Sequence, residues 1–118
     1  MEKKDLGKTS IGLQANIAAL LSYALGFISG IIFYLIEKEN KFVRFHAMQS
    51  IVIFGSLTVI QIANRAALAL FLPWGISNLI STLVGLVGLI LWIVLMIKAY
   101  QGELFKIPIA GDIAEKKS

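Results

Sequence analysis

The one histidine, His46, lies in the stretch EKENKFVRFHAMQS, two residues after Arg44 and downstream of Glu37 and Glu39. A metal site would need further ligands in an ordered spacing, and no second histidine accompanies it. Base catalysis would need a nucleophile within its reach, and none is visible. Cysteine is absent, which removes thiol nucleophiles, Cys-based zinc sites, iron–sulfur ligation and disulfides together. The expectation is therefore no catalytic residue, no metal ligand, no cofactor and no enzymatic activity.

The other polar groups suit contacts. At about 100° per residue, His46, Ser50, Thr58, Gln61, Asn64 and Arg65 project into one sector of a helix. Ser50, Thr58, Gln61, Asn64 and Arg65 are thus a candidate seam turned inward because amides and guanidinium groups facing lipid cost energy. Alternatively they line a hydrated path with Arg65 as its fixed charge. No acidic side chain interrupts the apolar runs, which argues against a proton relay or a metal-cation transporter. Phe42 and Phe45 alternate with Arg44 and His46, a pattern for an interfacial turn with rings among acyl chains and cations at phosphates. That turn is either an anchor or a site where Arg44 and His46 recognise a headgroup or a partner.

The elements that hold these residues follow from composition. The 118 residues are 58% hydrophobic and 15% charged, with a mean hydropathy of +0.82, far from a soluble domain at about 25% charged. A bilayer core needs roughly 20 helical residues per crossing, so little chain is left for a separate catalytic domain. The net charge of +4 comes from cations flanking apolar runs instead of forming a stripe, which speaks for juxtamembrane placement and against nucleic acid. The fold expected is an all-α integral membrane helical bundle of three transmembrane helices, about 13–36, 47–70 and 77–100, with a connection at 37–46 and an interfacial tail at 101–118. The opening resembles a signal peptide, but its apolar run is too long, so it is read as retained. Ala66 to Leu72 reads as a continuation of the second helix, with a re-entrant or short fourth element as the alternative. Ser77 or Asn78 is expected to cap the third helix after Pro73.

Small residues mark packing faces. Ser22, Gly26 and Gly30 fall at four-residue intervals in the first span, and Gly85 and Gly88 share a face of the third with Ser77, Ser81 and Trp92. Such faces let backbones approach closely and lead us to expect an oligomer. With three spans, seven cations lie with the first connection and the tail, and Lys3, Lys4, Lys8 and Arg65 lie opposite. That asymmetry predicts an external N-terminus and a cytoplasmic C-terminus.

The runs ALLSYALGFISGIIFYLIEKENKFVRFHAMQS and LWIVLMIKAYQGELFKIPIAGDIAE resemble the prokaryotic Tic-twenty-like small membrane proteins, a domain of unknown function distantly related to a chloroplast inner-envelope import component. The resemblance runs from about Ser10 to Glu115, and KFVRFHAMQS and AYQGELFKIPIAGDIAE are its most specific pieces. It implies an all-α membrane protein; the chloroplast relatives are four-helix parts of a preprotein channel, and no catalytic residues come with the family. The expected function is a multi-pass protein of a prokaryotic cell membrane acting through helix–helix or partner contacts, in the manner of a translocon-associated factor. The alternatives are an oligomeric small channel or anion-permeable pore, and a lipid-binding membrane organiser. Expected partners are membrane lipid and either further copies of the chain or another membrane protein, with no nucleic acid.

Overall fold

The computed structural model describes residues 6–118. Five helices follow one another: α1 (Ala15–Ala24), α2 (Phe27–Ile36), α3 (Lys41–Leu70), α4 (Trp74–Tyr100) and α5 (Ala110–Lys117). Among the described residues, only α3 and α4 are long and apolar enough to cross a membrane. At 1.5 Å per residue, their 30 and 27 residues rise about 45 and 40 Å, against about 15 Å for each ten-residue helix of the first apolar run.

The single first span expected over 13–36 is thus two half-length helices, and they fold back on each other. The chain reverses at Leu25–Gly26, where Gly26 takes φ 63° and ψ −136°, a region open essentially only to glycine. Several of the freed backbone groups find partners nearby. Trp92 Nε1 donates to the Tyr23 carbonyl at 2.7 Å, Ser50 Oγ to the Gly26 carbonyl at 2.8 Å, and Leu25 N to Ser29 Oγ at 2.9 Å. A reversal away from water requires such satisfaction. Hydropathy is blind to it, because one glycine turns the chain without lowering the apolarity of the run.

The open ends of this hairpin are stapled together. Glu37, fully buried, accepts from Ser10 Oγ at 2.7 Å and Ser10 N at 2.9 Å, and from the backbone amides of Glu39 and Asn40, each at 2.9 Å. Asn40 then caps α3 by accepting from Val43 N at 3.0 Å, as an N-cap asparagine should. The connection expected over 37–46 therefore shrinks to residues 37–40, and KFVRFHAMQS is the first turns of α3 and not an interfacial loop.

α1 runs antiparallel to α4, with Asn16 Nδ2 donating to the Tyr100 carbonyl at 3.1 Å at one end and Tyr23 meeting Trp92 at the other. α2 runs antiparallel to α3. A Cβ on Gly30 would stand 2.8 Å from the Ala47 carbonyl oxygen, so only glycine permits that approach. α3 continues unbroken past Arg65 to Leu70, so Ala66 to Leu70 prolong the helix while Phe71 and Leu72 lie beyond its end. A short turn with Pro73 leads into α4, which begins at Trp74, so Ser77 lies inside the helix and does not cap it.

Both the described start of the chain and its tail sit at one end, here termed the base. Asn40 Nδ2 donates to the carbonyls of Leu6 and Lys8 at 2.8 and 3.1 Å, and Tyr34 Oη donates to the Lys117 carbonyl at 2.6 Å. The opposite ends expected for the start of the chain and its tail are thus not seen in the described residues: Leu6 and Lys8 lie at the same end as Lys117, because the first apolar run doubles back as a half-length hairpin. Lys3 and Lys4, counted in the charge asymmetry, lie outside the described residues. Of the described cations, Arg65 alone stands at the far end of α3; Lys8, Lys38, Lys41, Arg44, Lys98, Lys106, Lys116 and Lys117 belong to the base.

Candidate functional site

Two polar clusters and one cleft stand out. The first cluster joins α1, α3 and the tail. His46 is fully buried; its Nε2 is 2.8 Å from the Glu103 carbonyl and its Nδ1 2.7 Å from Tyr23 Oη. A carbonyl can only accept, so the proton belongs on Nε2 and Tyr23 donates to Nδ1. Gln49, also fully buried, donates through Nε2 to Tyr23 Oη at 3.1 Å and to the Phe105 carbonyl at 2.9 Å. Its Oε1 accepts from Ile107 N at 2.9 Å. The irregular segment after α4 thereby obtains the backbone partners that it cannot make itself. Phe42 and Phe45 pack edge-on to the imidazole, with centroids 4.7 and 5.1 Å away. Their burial corrects the interfacial reading: these rings shield the histidine and do not reach acyl chains.

Arg44 and His46 do not form a pair. Two residues apart on a helix they face away from each other. Arg44 turns to α2 and the tail, its guanidinium 4.1 Å above the Tyr34 ring and donating to the carbonyls of Tyr34, Glu37 and Ser118. These bonds occupy it in holding the hairpin and α5 to α3. Two ion pairs brace the same end, Lys98–Glu103 at 3.1 Å and Lys106–Glu115 at 2.7 Å. Burial would raise the Glu37 carboxyl, but its hydrogen bonds from Asn40, Ser10 and Glu39 outweigh that and hold it below the usual carboxylate value. The bond to Glu115 holds Lys106 above the usual lysine value.

The second cluster joins α3 to α4 in the far half. Asn64, largely buried, donates to the Ser77 carbonyl at 3.0 Å and accepts from Ser77 Oγ at 3.1 Å. Gln61 Nε2 donates to the Ser81 carbonyl at 3.2 Å, while its Oε1 is buried without a partner. The expected seam is therefore divided. Ser50 serves the hairpin tip, Thr58 bonds back to Phe54 of its own helix, Gln61 and Asn64 face α4, and Arg65 is exposed. His46, Gln61 and Arg65 are not brought into one path within a chain.

Above the hairpin tip, where α1 and α2 stop and α3 and α4 continue, an apolar cleft of about 460 Å³ opens. Gly26, Phe54, Leu57, Gln61, Gly85 and Trp92 help to line it. The packing residues of the first span take different parts: Ser22 is buried on α1, Gly26 makes the turn and Gly30 meets α3. Gly88 lies under Leu57, whereas a Cβ on Gly85 would meet nothing within 4 Å. Among the described residues no group of three or more His, Asp or Glu side chains could hold a metal ion.

Residues 8–114 match the MamF/MmsF family, described as the magnetosome magnetite crystal formation protein family. The chain belongs to this family. Within the MamF/MmsF match fall α1 to α4 and the residues of both polar clusters. A UPF0132 membrane protein of Methanocaldococcus jannaschii is 53% identical over 113 residues, 96% of each chain. Another from Archaeoglobus fulgidus is 48% identical over 105 residues, covering 89% of this chain and 96% of its own. A second from Methanocaldococcus jannaschii is 49% identical over 107 residues, 91% of this chain and 72% of its own. No solved structure matches the chain.

Tyr23, Glu37 and Gln49 carry much of this geometry and are absent from the candidate site residues read from sequence, and Trp92 reads there only as part of a packing face. Gln49 had a usable signal, an amide three residues after His46 on the same helical face. Glu37 had none, since its partners lie 27 residues away at Ser10.

Proposed function

We propose that this member of the MamF/MmsF family is a non-enzymatic protein of the prokaryotic cell membrane that works by receiving a helix of a second copy in the cleft above its hairpin. The observation that supports this is the cleft itself, open beside Gly85 and bordered by Gln61, whose Oε1 lacks a hydrogen-bond donor. Small residues at such a position allow close helix approach, and a donor from an incoming helix would satisfy the amide. The base is assigned to the cytoplasm, because nearly all described cations lie there. The likeness to Tic-twenty-like proteins supports a role in a membrane-protein assembly, and the family is described as one of magnetosome magnetite crystal formation. Neither requires chemistry by this chain.

Gly85→Leu tests the reading at a position where a Cβ meets nothing within 4 Å in the monomer. In lipid nanodiscs or by cross-linking in vesicles, the wild type should self-associate and Gly85→Leu should weaken association about tenfold, equivalent to about 1.4 kcal/mol. A wild type that stays monomeric, or a variant that associates equally, sinks it.

A further inference from the structure

We infer that the chain is a one-leaflet wedge that favours membranes curved convexly on its base side. The planes bounding the apolar belt are marked by Arg44 and Lys98 at the base and by Arg65 and Trp74 at the far end. From Arg44 to Arg65 α3 rises about 32 Å, close to the roughly 30 Å of a hydrocarbon core. The hairpin tip meets α3 at Phe54, 3.7 Å from a Cβ built on Gly26, and Phe54 stands about 15 Å above Arg44. The hairpin therefore ends at mid-depth. One leaflet holds α1, α2, α3 and α4, and the other holds α3 and α4 alone, a difference of two helices each about 10 Å across.

The outer surface of the hairpin suits lipid: Leu25, Ile28, Ile32 and Leu35 are all exposed. The tail widens the same end independently. Leu104, Ile109 and Ile113 are exposed among Lys106, Lys116 and Lys117, the composition of a segment lying at the headgroup boundary. Apolar volume inserted into one leaflet alone is relieved when that leaflet is expanded, so the two orientations of the protein in a vesicle differ in free energy, and the difference grows as the vesicle shrinks. The inference goes beyond the association reading and does not rest on it, because Gly85→Leu leaves the hairpin and tail in place.

The test uses the full chain with Lys116→Cys, an exposed position in a sequence without native cysteine. The protein is reconstituted at low density into phosphatidylcholine and phosphatidylglycerol vesicles sorted by diameter, and a membrane-impermeant maleimide reports the base-outward fraction in each size class. The ratio of base-outward to base-inward protein should rise roughly twofold from the largest to the smallest vesicles, a shift of about 0.4 kcal/mol, and Leu104→Ser with Ile109→Ser should flatten the trend. The Gly85→Leu background should show the same rise, which separates this result from association. A base-outward fraction independent of diameter, or one that falls as vesicles shrink, overturns the wedge.

Discussion

Gly26 and Gly30 are both glycines for different physical reasons, and substitution should tell them apart. At Gly26 a Cβ has room, with Phe54 no closer than 3.7 Å, so the cost of Gly26→Ala is backbone strain of roughly 1–3 kcal/mol. At Gly30 the backbone is ordinary and the space is missing. Gly30→Ala should cost about 1–3 kcal/mol by overpacking against Ala47 and Ser50, and Gly30→Leu should prevent the hairpin from docking. Thermal unfolding in detergent compares the variants directly. Glu37 gives a pH signature. Its folded-state value is depressed, so its stabilisation is complete above the ordinary carboxylate range and is lost as pH falls through the folded value. Glu37→Gln should remove that acid dependence and lower stability at neutral pH by roughly 1.5–3 kcal/mol, the range for a hydrogen bond to a charged group. An unchanged melting curve across the acid limb in both proteins would contradict the staple.

Among the elements, the tail is held by the buried network and not by its own helix bonds. Gln49→Leu leaves the Phe105 carbonyl and the Ile107 amide without partners, at about 1–3 kcal/mol for each buried group so orphaned. Residues 103–107 should then exchange their amides faster while the far half of α3 and α4 keeps its protection. Hydrogen exchange read by mass spectrometry checks this. The elements also show what the sequence made legible. Two membrane-length helices and the break between them at Pro73 follow from hydropathy and proline chemistry. The hairpin reversal does not, because Ser22, Gly26 and Gly30 fit a packing stripe on one helix as well as the inner faces and turn of two. The same ambiguity hid the site. His46 reads as interfacial when its neighbours are Lys41 and Arg44 in sequence, and becomes a core residue only when Tyr23 and the Glu103 carbonyl arrive from distant parts of the chain.

For the whole molecule, the decisive feature is that all five described helices contribute to the base while, among them, only α3 and α4 reach the far end. That asymmetry gathers the described cations except Arg65 at one face, opens the cleft where the hairpin stops, and makes the two leaflets unequal. All three depend on the first apolar run entering and returning by the same side. Single cysteines at Lys8, Leu25, Lys41, Leu70 and Lys116, placed one at a time in this cysteine-free chain, measure that directly by impermeant labelling in oriented vesicles. The account predicts that Lys8, Lys41 and Lys116 positions label from one side, Leu70 from the other, and Leu25 from neither. Labelling of the Lys8 and Lys41 positions from opposite sides would show a full first crossing and contradict it.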